Sequence, residues 1–166
     1  MVMVLRHAVL ASPAGSTRAL TRDEMTDLAR SVDLERLDLG DFRCFTEARY
    51  ARNTVFLNQH IELVVICWLA GQASSIHDHG ASNCLYLVVE GAMQEEMFRL
   101  DAERRPERTS KRLYGRGDIT VAAPTDVHRI VNPGGAALVT VHLYSPPLDE
   151  RVTNFTPIPV RASVGG

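Results

Sequence analysis

The chain has 166 residues, 45% hydrophobic and 23% charged, with a formal net charge of −2. That is the make-up of one ordinary globular domain with a sizeable core. The near-neutral balance gives no electrostatic footing for nucleic acid, and no apolar run reaches the length of a membrane-spanning helix.

The apolar start, Met1 to Leu10, is interrupted by Arg6 and His7 and no clean cleavage site follows, so it does not read as a signal peptide. Residues 1–40 are expected to be a helical segment. Thr21-Arg22-Asp23-Glu24 has the form of a capping box, in which the threonine hydroxyl and the glutamate carboxylate each satisfy a backbone amide. Met25, Leu28, Ala29 and Val32 follow at helical spacing. A second short helix is expected from Ser31 or Asp33, carrying Leu34 and Leu37 and closed by Gly40.

From about Asp41 the helical period is lost, and short Val-, Ile-, Leu-, Phe- and Tyr-rich runs alternate with Gly, Pro and Asn, as strands and turns do. Strands are expected near 52–57, 61–69, 82–90, 93–100, 109–114, 118–123, 127–131 and 136–144. Asp101 to Arg112, rich in charge, reads as a solvated hairpin or loop. Residues 41–150 then form a barrel, and the tail 151–166 wraps it. The predicted class is all-β, a jelly-roll barrel with short N-terminal helices. Cys44, Cys67 and Cys84 show no framework spacing, which points to reduced thiols in a cytoplasm. Cys44, Cys67 and Trp68 are expected to be buried, His60 to sit in the turn after Asn58-Gln59, and His7 to lie on the surface.

Within the strands, Gly71 is followed by five residues, His77, one residue, His79, four residues, Cys84, six residues and Gly91. This is the spacing of the first cupin motif, with Cys84 where a glutamate ligand commonly stands. Gly117 to Asn132 supplies Pro124, His128 and Asn132 at roughly the second motif's spacing. Residues two apart on an extended segment project to one face, so His77 and His79 can chelate one ion while Asp78 points away. His128 is expected from a facing strand. A lone histidine in a β protein is more often an ordinary polar residue; two motifs at matching spacing favour a metal. Imidazole alone does not choose among Zn, Fe, Ni and Cu. Three neutral ligands leave the ion's charge uncompensated, which favours an anionic substrate group such as a thiolate.

Taken together with Cys67-Trp68, Ser74-Ser75-Ile76, Ser82, Val127-His128-Arg129 and His142-Leu143-Tyr144-Ser145-Pro146-Pro147, the motifs resemble the cysteine dioxygenase family over about residues 50–149. The resemblance implies a cupin double-stranded β-helix and one Fe(II) per chain held by His77, His79 and His128. It also implies oxidation of L-cysteine by O₂ to the sulfinic acid. Arg52 matches the family's carboxylate-binding arginine, in the run Tyr50-Ala51-Arg52-Asn53, and Tyr50 is expected beside it. A guanidinium pairs bidentately with a carboxylate, which suits that role. Thr140, His142 and Tyr144 match a Ser-His-Tyr relay, with threonine replacing serine. Cys84 matches the cysteine that animal members join to the tyrosine, so a Cys84–Tyr144 thioether is a candidate modification. The implied partners are a small thiol and O₂, with no nucleic acid and no membrane, and a monomer is expected. The alternatives are another small thiol (3-mercaptopropionate or mercaptosuccinate) or an oxygen-independent metal cupin.

Overall fold

A computed structural model describes residues 17–156. The capping box forms: the Thr21 hydroxyl accepts from the Glu24 amide at 3.3 Å, and Glu24 Oε2 accepts from the Thr21 amide at 2.8 Å. It opens helix α1 (Arg22–Arg30), whose Met25 and Ala29 are buried. Burying a side chain such as Met25 contributes about 1.5–3 kcal/mol, and this face ties the helix to the barrel. The expected second helix does not form. Asp33 Oδ1 accepts from the Glu35 amide and Asp38 Oδ1 from the Gly40 amide, and side chains that bond their own backbone in this way favour turns over a helix. A 3₁₀ turn at Gly40–Phe42 follows instead.

Ten strands follow: β1 (Ala51–Leu57), β2 (Glu62–Trp68), β3 (Ile76–His77), β4 (Asn83–Glu90), β5 (Met93–Leu100), β6 (Pro106–Tyr114), β7 (Ile119–Ala122), β8 (Val127–Val131), β9 (Leu138–Ser145) and β10 (Asn154–Phe155). They form two antiparallel sheets, β1-β2-β9-β4-β7 and β10-β3-β8-β5-β6. All eight expected strands are present. The two-residue strands β3 and β10 were not expected, because a pair of residues carries no period. They pair with each other, so the start of the tail is stitched to the edge beside His77. The segment read as a charged loop is mostly β6. That strand lies at the outer edge of the second sheet and is exposed along most of its length, a position that suits charge. The His7 expectation, most of the N-terminal segment before α1 and the last ten residues of the tail fall outside the described residues.

The middle of the first sheet is buried on both faces, which is why β2 and β9 read as nearly continuous apolar runs. Leu63, Val65, Cys67, Val139, Val141 and Leu143 pack outward with Leu20, Met25 and Ala29. Val64, Ile66, Trp68, Cys84, Tyr86 and Tyr144 pack inward with Met93 and Ile130 of the second sheet. Period two therefore assigns alternate residues of each strand to an outer apolar layer and to the barrel interior. Cys67 and Trp68 are core residues as expected, on opposite faces. Cys44 is exposed, contrary to expectation, because it lies in the irregular segment before β1.

Candidate metal centre

His77 ends β3 and is the direct cross-strand neighbour of His128 on β8. His128 therefore arrives from the adjacent strand of the same sheet, not from a facing strand. Past the end of β3 the chain is held by other means. The Asp78 amide donates to Thr153 O, Asp78 Oδ1 accepts from the Thr153 and Gly80 amides, and the His79 amide donates to Pro124 O. Asp78 thus points away from the histidines, as expected, and fastens the loop between them.

Each ring has an acceptor at Nδ1. Ser75 O is 2.9 Å from His77 Nδ1, Ala123 O is 3.5 Å from His79 Nδ1, and Glu95 Oε1 is 2.9 Å from His128 Nδ1. These contacts put the ring proton on Nδ1 and leave an unshared pair on each Nε2, the arrangement expected around a metal. His79 Nε2 and His128 Nε2 are 3.2 Å apart, and the ligand atoms of all three rings lie within 4.8 Å of one another. Unshared pairs converging at that spacing repel each other, and a cation relieves the repulsion. Burial, followed by the neighbouring His128 ring, holds His77 down at about 4 and His79 at about 3, from an ordinary 6.5, so both are neutral at physiological pH. The donor set fits a divalent transition metal.

On the facing sheet, a directed chain of hydrogen bonds ends on Tyr144. The Trp68 indole N–H donates to Thr140 Oγ1 at 3.0 Å, so the Thr140 hydroxyl donates onward to His142 Nε2 at 2.8 Å. His142 then carries its proton on Nδ1 and offers it to the Tyr144 oxygen at 3.1 Å. Arg52 Nη1 donates to the same oxygen at 3.2 Å. With two donors on its oxygen, the Tyr144 hydroxyl keeps its own proton to donate, and the Cys84 thiol is beside it. Burial drives the His142 imidazole well below 6.5 and the Tyr144 phenol well above 10, so the chain is held neutral. Burial likewise pushes the Cys84 thiol up.

Arg52 Nη2 also pairs with Glu62 Oε1 at 3.1 Å, and its guanidinium carbon lies 5.3 Å from the centre of the Tyr144 ring. Tyr50 stacks on Trp68, ring centres 4.3 Å apart. A cavity of about 30 Å³ lies among His77, Tyr50, Arg52 and Tyr144, and a wider cleft of about 290 Å³ adjoins Cys44, Arg49, Tyr50 and Arg52. Tyr50 and Arg52 line both, so they stand between the outer cleft and the cavity that His77 lines.

All eight expected site residues (Tyr50, Arg52, His77, His79, Cys84, His128, His142 and Tyr144) are gathered at this one end of the barrel interior. Three more were not foreseen. Tyr86 is two residues beyond Cys84, and that spacing alone places it on the same face. Glu62 is the cross-strand neighbour of Tyr144, a relation that needs the register. Glu95 and Glu96 are both buried, and nothing in the order Gln94-Glu95-Glu96 says which acid meets His128. The other Glu95 oxygen accepts from the Tyr114 hydroxyl at 3.1 Å. Glu95→Gln is expected to weaken metal binding about 10–100-fold, the usual cost of losing a ligand's orienting carboxylate. Chelator competition at constant circular dichroism measures it, and unchanged affinity would remove Glu95 from the centre.

Comparison with known proteins agrees with the geometry. A double-stranded β-helix protein from Klebsiella pneumoniae superposes with a TM-score of 0.58 at 18% identity, over 72% of this chain and 89% of that one. An RmlC-like cupin from Desulfovibrio desulfuricans gives 0.50 at 20% identity, over 68% and 96%. At these identities the likeness speaks for the cupin fold alone. Among the described residues no helix is long and apolar enough to cross a membrane. Cysteine dioxygenase type 1 of Danio rerio is 31% identical over 135 residues, 77% of this chain and 67% of that protein. The chain thus spans about two thirds of this relative's length. The family model for cysteine dioxygenase type I matches residues 16–156. With that match over most of its length, the chain belongs to the cysteine dioxygenase type I family.

Proposed function

We propose that the protein is an iron-dependent dioxygenase that oxidises L-cysteine to cysteine sulfinic acid, adding both atoms of O₂ to the thiol sulfur. The observation that carries this reading is the pairing of two features: three converging imidazoles, and the Arg52 guanidinium, which shares with His77 the lining of one cavity. His77, His79 and His128 would hold the iron, one ion per chain. Iron(II), when bound, supplies a Lewis-acidic, redox-active centre at which a thiolate and O₂ react. The chain's own residues do the rest. Arg52 binds the substrate carboxylate and, with Tyr50, closes the passage from the outer cleft. Tyr144, fed by two donors, offers its proton into the cavity, and His142 fixes the direction of that hydroxyl. The apolar walls of Ile66, Trp68 and Ile130 keep bulk water from the reacting sulfur. Three free cysteines suit a cytoplasmic setting.

The test is oxygen uptake by the Fe(II)-loaded protein with L-cysteine and with 3-mercaptopropionate, and a product mass for each. Uptake with cysteine and a gain of two oxygen atoms supports the reading. Preference for 3-mercaptopropionate keeps the chemistry but moves the substrate. No uptake with any thiol returns the centre to oxygen-independent metal chemistry.

Cys84 on β4 and Tyr144 on β9 are direct cross-strand neighbours whose side chains both face inward. This adjacency supports a thioether between them. The intact mass is expected to fall by two hydrogens after turnover, and Cys84→Ser should abolish that change. A constant mass through turnover would exclude the bond.

A further inference from the structure

One buried polar group at the centre has no part in the mechanism above. Tyr86 is 1% exposed, and its hydroxyl oxygen is 3.1 Å from His79 Nε2 and 3.1 Å from His128 Nε2. Those two nitrogens are 3.2 Å apart, so the three atoms make a nearly equilateral triangle. Two ligands at right angles on one ion, each about 2.1 Å from it, are about 3 Å apart. The triangle has the edge of three mutually cis ligands, with the phenol oxygen as one of them.

The simpler account is a phenol that merely donates to a ring nitrogen. It holds only while the Nε2 pairs are unshared. An ion takes both pairs, and among the described residues the hydroxyl is then left with the Cys84 thiol, a weak hydrogen-bond partner. A buried hydroxyl does not go without a partner in a folded protein, and the ion itself is then the one at hand. The strand explains the placement. Cys84 occupies the position where the cupin motif commonly puts its anionic oxygen ligand, and Tyr86 is the next residue on the same face of β4.

We propose that Tyr86 is a fourth protein ligand of the metal. On binding, the phenol O–H bond breaks, its proton is released to solvent and the oxygen pair is shared with the ion; no electron is transferred. The inference rests on the three-histidine centre proposed above, and not on which thiol is oxidised.

The experiment is visible spectroscopy of the ferric-loaded protein, with iron content measured alongside. A phenolate-to-iron charge-transfer band is expected in the wild type. It should disappear in Y86F, which still takes up iron, and persist in Y144F and in the Y50F/Y144F double variant. The double variant reports on Tyr86 even where Y86F does not fold. Iron uptake without colour overturns this proposal alone, as does a band that survives Y86F or vanishes with Y144F. Failure to take up iron overturns both this proposal and the centre on which it rests.

Discussion

His128→Gln should leave a folded protein that binds iron poorly and oxidises thiols at least about 10³-fold more slowly than the wild type. Removing the orienting partner of a metal-bound histidine already costs about 10–100-fold. Removing the ligand nitrogen itself should cost more. Glutamine keeps most of the volume at a site that is 0% exposed, so the loss can be read as chemistry and not as a cavity in the core. The amide can still donate to Glu95, which otherwise becomes a buried carboxylate missing one of its two donors. Iron content, oxygen uptake and circular dichroism on the same sample decide the matter. Full iron and full activity in the variant would rule out His128 as a ligand, and with it the three-histidine centre.

Arg52→Gln should lower kcat/KM for L-cysteine about 10–150-fold, with iron content unchanged. That range corresponds to the 1.5–3 kcal/mol of a hydrogen bond to a charged group. Two roles of Arg52 could produce such a loss, because the same guanidinium also donates to the Tyr144 oxygen. Cysteamine, which has the thiol and amine of cysteine but no carboxylate, separates them. If Arg52 acts on the substrate carboxylate, the variant loses little with cysteamine. An equal loss with both thiols would mean that Arg52 works by setting Tyr144, and the carboxylate-clamp role would have to be given up. The Glu62 partner predicts a further sign: Glu62→Gln frees the guanidinium of a competing anion, so KM for carboxylate thiols should fall or stay level and not rise.

Much of this site was legible in the chain because its residues sit where short-range rules apply. His77 and His79 follow from spacing, and Thr140, His142 and Tyr144 follow from strict period two along a single strand. The eight longer strands followed from β-branched and aromatic runs set off by Gly, Pro and Asn. What could not be read was set by tertiary relations. The partner strand of His128, the carboxylate behind it and the Glu62 brace on Arg52 all depend on which strands lie side by side and in what register. Cys44 was misplaced for a related reason: its type suggests an interior, but its irregular segment forms the rim of a cleft. The missing second helix was a local conflict, settled when Asp33 and Asp38 capped turns of their own.

Strand β9 has an implication for how this protein can change. Val139, Val141 and Leu143 anchor the layer shared with α1, while Thr140, His142 and Tyr144 are the polar row of the interior, in alternation along one strand. Loss or gain of one residue there would swap the two rows, driving valines into the cavity and an imidazole and a phenol against the helix. Activity and solubility would vanish in the same step. Length variation compatible with a working enzyme is therefore confined to the connections, such as the exposed Asp101–Arg105 turn, and β9 can be altered only by substitution.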